Sequence, residues 1–163
     1  MYPILFTTPW FNVYSYGLFI ALGYTLGTVL ILRAARQEGL NADAIFDMLL
    51  LQLIVGICGS RLLFVLEYTP EKLNFRDFLA FEQGGLTFYG AVISSIIFDL
   101  LYLKYRKMPF WQVIDCIGYG LPAGIALARL GCLLNGCCYG TSCNLPWAMP
   151  FAAAGTGTYH PTQ

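Results

Sequence analysis

Charged side chains are scarce in this sequence of 163 residues: Asp, Glu, Lys and Arg make up 11% of it. A soluble domain carries about 25%, so water cannot face most of this chain's surface. No block of one charge sign occurs and the formal net charge is zero. That excludes an electrostatic footing for nucleic acid, which needs a basic patch or stripe. Histidine is almost missing, with His160 alone. Low-complexity tracts and repeats are missing too. No basic region precedes the first apolar stretch; the chain starts Met1-Tyr2-Pro3, and Pro9 interrupts that stretch. A cleaved signal peptide needs such a region, so the first apolar segment is expected to stay in the mature protein. What is abundant is apolar: 58% of residues are hydrophobic.

A membrane-crossing helix needs roughly 20 mainly apolar residues to span a hydrocarbon core about 30 Å thick. Four stretches qualify, at about 14–32, 45–66, 86–103 and 113–134. The expected fold is an all-α integral membrane protein with one membrane domain over residues 1–163, closed by a loop and tail at 135–163. Lys and Arg gather on the cytoplasmic side of membrane proteins. Arg33 and Arg36 follow the first span, and Lys104, Arg106 and Lys107 follow the third, which accounts for five of the nine basic residues. That bias puts the N-terminus outside, together with the loop 67–85 and the tail after the fourth span. The segment 1–11, with Trp10 and Phe11, is expected at the outer interface. Gly23 and Gly27, Gly56 and Ser60, and Gly120, Gly124 and Ala128 repeat at four-residue spacing. Small residues at that spacing let helix backbones approach, and helix packing is the ordinary reading of them. Pro122 is expected to kink the fourth helix.

Ionisable groups inside spans are expensive and point to function. Arg61 and Arg129 each precede the outer end of a span by five residues. At about 1.5 Å per residue, both lie roughly 7–8 Å below that end. A guanidinium fork suits a phosphodiester, because it donates two parallel hydrogen bonds. The competing reading is that each arginine snorkels to the surface, or pairs with Glu67 or a backbone carbonyl. Asp99 and Asp115 sit nearer the inner face, where an ion pair with Lys104 or Arg106 is the ordinary expectation.

Polar elements follow the second and fourth spans. Gly84-Gly85-Leu86-Thr87-Phe88-Tyr89-Gly90 opens the third span. Its glycines permit close approach of a ligand, and Tyr89 belongs either to that site or to the interfacial aromatic belt. Arg129-Leu130-Gly131-Cys132-Leu133-Leu134-Asn135-Gly136-Cys137-Cys138-Tyr139-Gly140 ends the fourth span, with the Asn135 amide at the turn. Of six cysteines, Cys58 and Cys116 lie within spans and read as packing residues. Cys132, Cys137, Cys138 and Cys143 cluster within twelve positions. In an oxidising compartment they stand as disulfides or thiols. Their spacing does not match ordinary zinc signatures, although His160 would complete a metal site. No metal and no cofactor are assigned.

Taken in order, these segments resemble the prolipoprotein diacylglyceryl transferase family of bacterial inner-membrane enzymes, over nearly the whole chain. Tyr16-Gly17 matches a tyrosine–glycine pair, and Gly59-Ser60-Arg61-Leu62 a glycine–small–arginine motif. Residues 84–90 resemble a Gly-Gly-x-Ser-Phe-His-Gly stretch, and residues 129–140 the signature Arg-x-Gly-Asn-Phe-x-Asn-x-Glu-x-x-Gly. His160-Pro161-Thr162-Gln163 resembles His-Pro-x-Gln. The resemblance implies transfer of the diacylglyceryl group of phosphatidylglycerol to the lipobox cysteine thiol of prolipoproteins, at the periplasmic face of the inner membrane. It implies catalytic roles for Arg129, Tyr89 and Tyr16. It implies substrate contacts for Arg61, Asn135, Gly85, Gly90, Gly131, Gly140 and His160.

Four positions depart from the family pattern. Tyr89 stands where the family has a histidine, and a phenol is a poorer base than an imidazole at neutral pH. Cys132 replaces the first signature asparagine, Cys137 the glutamate, and Ala128 the glycine before the arginine. The family also continues past His-Pro-x-Gln through further spans, so the chain reads as an N-terminal fragment of a larger helical bundle. The alternative function is a non-catalytic or redox-active membrane relative that binds anionic phospholipid.

Overall fold

The computed structural model describes residues 4–7, 12–68, 85–151 and 157–162. In chain order the elements are β1 (Ile4–Thr7), β2 (Asn12–Tyr14), α1 (Ser15–Gln37), α2 (Ala42–Tyr68), α3 (Phe88–Tyr105), α4 (Phe110–Asn135), β3 (Met149–Pro150) and β4 (Thr158–Tyr159). Among the described residues, all four helices are long and apolar enough to cross a membrane. The protein is a multi-pass membrane protein. Its helices carry outward-facing Leu, Ile and Phe along their length, such as Ile54, Leu62, Ile96 and Leu101, as lipid-facing helices require and water-facing ones do not tolerate.

All four helices run past the C-terminal ends expected for them, because those ends are closed by backbone bonds rather than by the end of the apolar run. The first loop shows how. The Leu40 N–H donates to the Ala35 carbonyl at 2.9 Å and the Gly39 N–H to the Arg36 carbonyl at 3.3 Å, with Gly39 at φ 69°. This is the Schellman ending, which needs a left-handed residue and favours glycine there. Asn41 then caps α2, its Oδ1 accepting from the backbone N–H groups of Asp43 and Ala44, both at 3.1 Å.

The end of α3 is built the same way. Met108 N–H donates to the Leu103 carbonyl at 3.0 Å and Lys107 N–H to the Lys104 carbonyl at 3.3 Å. Here the left-handed position is a lysine, Lys107, at φ 52°. A left-handed L-residue carries a penalty of about 1–2 kcal/mol, and glycine loses about 0.5–1 kcal/mol of entropy in exchange. Lys107→Gly is therefore expected to raise stability by about 0.5–1 kcal/mol. Denaturation in detergent checks this, and a loss of stability would contradict it.

Two compact units result: residues 1–34 with 116–163, and residues 35–115. In the first, α1 packs on α4 through glycines. A Cβ on Gly23 would lie 2.7 Å from the Gly124 carbonyl oxygen, and one on Gly27 would lie 3.1 Å from that of Gly120. The four-residue glycine spacing thus serves helix packing. Helix α4 continues through Pro122. In the second unit α2 packs on α3, again through small residues. The Ser94 hydroxyl donates to the Val55 carbonyl at 3.2 Å, and a Cβ on Gly59 would run into the Ser94 side chain. Asp99 meets a side chain that the sequence did not suggest: its Oδ2 accepts from Gln52 Nε2 at 3.0 Å.

The N-terminal segment holds a finding that the apolar pattern did not reveal. Strands β1 and β2 form an antiparallel hairpin, pairing Phe6 with Val13 and Thr7 with Asn12. Trp10 and Phe11 lie outside the described residues, as do 69–84 of the loop after α2, Gly84 and Gln163. A second two-stranded pair, β3 with β4, follows α4.

Candidate functional site

The last turns of α4 lie against the first turn of α1. Gly131 makes this approach possible: a Cβ there would fall 2.8 Å from Phe19 Cβ and 3.5 Å from the Tyr16 backbone. The Tyr16 side chain, 41% exposed, lies within electrostatic range of Arg129, Cys132, Cys137 and Cys138. Arg129 is exposed. Two of the three residues with implied catalytic roles, Tyr16 and Arg129, thus share one end of one unit. Asn135 closes α4 and is half-buried.

A third Schellman ending shapes the loop after α4. Cys137 N–H donates to the Cys132 carbonyl at 3.1 Å and Gly136 N–H to the Leu133 carbonyl at 3.2 Å, with Gly136 at φ 76°. The chain therefore doubles back on the helix end. Cys137 Sγ reaches the same Cys132 carbonyl at 3.6 Å. Beyond it, the segment around His160 is laced to the loop. Gly140 N–H donates to the His160 carbonyl at 2.9 Å, His160 N–H to the Thr141 carbonyl at 3.0 Å and Cys143 N–H to the Thr158 carbonyl at 3.0 Å. Thr162 Oγ1 donates to the Cys138 carbonyl. Gly140 is crowded by this lacing, since a Cβ there would lie 2.8 Å from Thr162 Cγ2. Phe151 is fully buried and packs on Tyr139, with ring centroids 5.3 Å apart.

The imidazole of His160 has a partner that sequence reasoning missed. Trp147 Nε1–H donates to His160 Nδ1 at 3.1 Å. An imidazole that accepts at Nδ1 carries its proton on Nε2 when neutral. In this arrangement the ring offers a donor, not a base, to anything beyond Trp147. No signal in the sequence ties a tryptophan to a histidine thirteen residues on; the β3–β4 pairing creates that contact.

The second unit holds Arg61, Gly85, Tyr89 and Gly90. Arg61 is only 3% exposed. Its Nη1 donates to the Gly85 carbonyl at 3.0 Å, and its guanidinium lies over the Phe64 ring, 5.4 Å from the centroid. Of the readings open for this arginine, snorkelling to the surface does not fit such burial, whereas a bond to a backbone carbonyl is present. Thr87 adds two bonds to the Ser60 carbonyl, from its N–H at 3.3 Å and its hydroxyl at 3.0 Å. Arg61 and Thr87 together hold the glycine strip against α2. Gly90 is buried, and Tyr89 beside it is 74% exposed.

Gly85 is the tightest position in that strip. Its φ is 87°, and a Cβ would run into the Phe64 ring. Gly85→Ala is therefore expected to destabilise the protein by about 1–3 kcal/mol, combining backbone strain with overpacking. A lowered melting temperature in detergent is the readout, and an unchanged one would show that the strip has room to move.

Comparison with known proteins bears on all of these residues at once. The family model described as prolipoprotein diacylglyceryl transferase matches residues 3–163. A phosphatidylglycerol–prolipoprotein diacylglyceryl transferase of Clostridium tetani is 32% identical over 168 residues, covering 100% of this chain and 67% of the relative. One from Rhodopirellula baltica is 35% identical, covering 86% of this chain and 30% of the relative. A second such enzyme of Clostridium perfringens is 34% identical, covering 93% and 61%. The chain thus spans between 30% and 67% of the length of these three relatives.

Proposed function

The chain belongs to the prolipoprotein diacylglyceryl transferase family, and from that premise we propose that it transfers the diacylglyceryl group of phosphatidylglycerol to a prolipoprotein's lipobox cysteine. The sulfur of the lipobox thiolate attacks the glyceryl carbon. The carbon–oxygen bond to phosphate breaks, a thioether forms, and glycerol phosphate leaves with the phosphate charge it takes over. The thiol's proton ends in solvent or on the departing phosphate.

The observation that supports this most is the convergence of Arg129 and Tyr16 at one end of α1 and α4. Arg129 is exposed there, as an arginine must be to meet a lipid phosphate. Its planar fork binds two phosphate oxygens at once and steadies the charge that grows as glycerol phosphate departs. The Tyr16 hydroxyl offers a donor at the same end of the unit. The Asn135 amide, at the end of the same helix, supplies a further donor and acceptor to the headgroup. Gly131 contributes by allowing α1 close. Gly140 and His160 contribute by fixing the loop that borders the site. In the other unit, Arg61 holds the strip from Gly85 to Gly90 and Tyr89 presents a second exposed hydroxyl. The reading places the enzyme in the bacterial inner membrane, N-terminus out, with the reacting end on the periplasmic face.

Incubation of the purified chain in phosphatidylglycerol vesicles with a synthetic lipobox peptide tests this. A mass gain on the peptide cysteine equal to one diacylglyceryl group, with stoichiometric glycerol phosphate, is the expected result. A peptide that stays unmodified, with no restored lipoprotein maturation in cells depleted of their own transferase, would defeat the reading.

A further inference from the structure

The turn that ends α4 gathers three of the four outer cysteines. The sulfurs of Cys132, Cys137 and Cys138 all lie within 4.8 Å of one another. Among the described residues, neither Cys143 nor His160 belongs to this group. The backbone explains the selection. A Schellman ending sets the residue after the left-handed position against the residue five before it, here Cys137 on Cys132. Cys138 then takes φ 60°, a conformation that non-glycine residues rarely adopt and that concentrates at functional positions. It turns the third sulfur toward the other two.

The spacing fits a metal better than a disulfide between neighbours. Two thiolates about 2.3 Å from a tetrahedral ion stand about 3.8 Å apart. Cys137 Sγ and Cys138 Sγ are 3.8 Å apart. A disulfide needs about 2.05 Å between sulfurs and Cα atoms usually 4.4–6.8 Å apart, whereas adjacent residues are held at about 3.8 Å. Burial is graded as well: Cys132 is buried, Cys137 half-buried and Cys138 exposed. That gradient gives an ion an entry path and a partly desolvated seat.

We propose that Cys132, Cys137 and Cys138 form a three-thiolate site for a soft d10 cation, with zinc(II) as the type. Binding replaces three S–H bonds by three metal–sulfur bonds and releases three protons for each ion, because the ligands must be thiolates. Three protein ligands leave a fourth tetrahedral position open to water or another ligand. Sequence spacing hid the site, since zinc signatures read from linear spacing do not include a pair of adjacent cysteines joined to a third across a helix end. The inference stands apart from the transfer reaction and holds whether or not the chain transfers lipid.

The test is titration of the full chain, purified in detergent and reduced, with cobalt(II) as a spectroscopic stand-in for zinc. One equivalent of cobalt is expected, with thiolate-to-cobalt charge-transfer absorption that zinc abolishes and three protons released. Cys132→Ser, Cys137→Ser and Cys138→Ser should each weaken binding by more than about a hundredfold, beyond the usual loss when a group that only orients a ligand is removed. Cys58→Ser and Cys143→Ser should leave it unchanged. In the unaltered chain, zinc should shield three cysteines from maleimide and leave Cys58 open, a readout that does not depend on any variant folding. Reduced protein that gives no charge-transfer band overturns the proposal. So does a band that survives all three serine substitutions, or a Cys132–Cys137 disulfide whose reduction restores no cobalt binding.

Discussion

Arg129→Ala is expected to lower the rate of diacylglyceryl transfer by about a hundred- to a thousandfold, the usual loss when one donor to a developing oxyanion is removed. The side chain is exposed, so alanine in its place leaves the packing of α1 on α4 intact. That packing rests on Gly23, Gly27, Gly120, Gly124 and Gly131. Arg129→Lys keeps the charge but loses the planar fork, and an intermediate loss is expected. Initial rates on a lipobox peptide in phosphatidylglycerol vesicles measure both, with helix content by circular dichroism as the control for folding. An alanine variant within a few-fold of the parent rate would remove Arg129 from the reaction and with it the main support for the proposed chemistry.

Gly59→Leu is expected to abolish the folded state of the second unit altogether. A Cβ at Gly59 would run into the Ser94 side chain and lie 2.9 Å from the Gly90 carbonyl oxygen. The contact is reciprocal, since a Cβ at Gly90 would lie 2.5 Å from the Gly59 carbonyl oxygen and 2.8 Å from Leu63 Cβ. Ser94 has no easy escape, because its hydroxyl is bonded to the Val55 and Ala91 carbonyls. A leucine forces α2 and α3 apart and strips both Thr87 bonds to the Ser60 carbonyl. The loss exceeds the about 1–3 kcal/mol of ordinary overpacking, and in lipid no hydrophobic gain offsets it. Gly59→Ala should cost about 1–3 kcal/mol, and Ser94→Gly should recover part of that in the double variant. Yield and monodispersity in detergent report the leucine variant. Melting of the alanine pair reports the coupling, and additive effects would place the crowding elsewhere.

The spans were legible because an apolar run of sufficient length has few alternatives in lipid. Their ends were less so: they are set by left-handed residues at Gly39, Lys107 and Gly136, and the length of an apolar run does not mark such positions. The glycines at four-residue spacing were legible as contacts, yet which helix each meets depends on tertiary structure. Arg61 was legible as a buried charge; its bond to Gly85 joins residues 24 apart, and nothing local encodes that. Asp99 suggested a basic partner near the end of its own helix and has the Gln52 amide of α2 instead, a contact that only the packing of α2 on α3 creates. Among the cysteines, the sequence grouped four, and the backbone turn at Gly136 reduces the set to three. The motif order from Tyr16 to His160 identified the family from side chains alone.

The N-terminal hairpin joins α1 without a spacer: β2 ends at Tyr14 and α1 begins at Ser15, whose side chain is fully buried. The direction in which the hairpin projects is therefore locked to the rotational phase of the helix. One extra residue at that junction swings the hairpin through about 100°, and four return it to within about 40° of where it began. A change of length at this seam would therefore re-aim the two-stranded ribbon while the side chains along α1 keep their places.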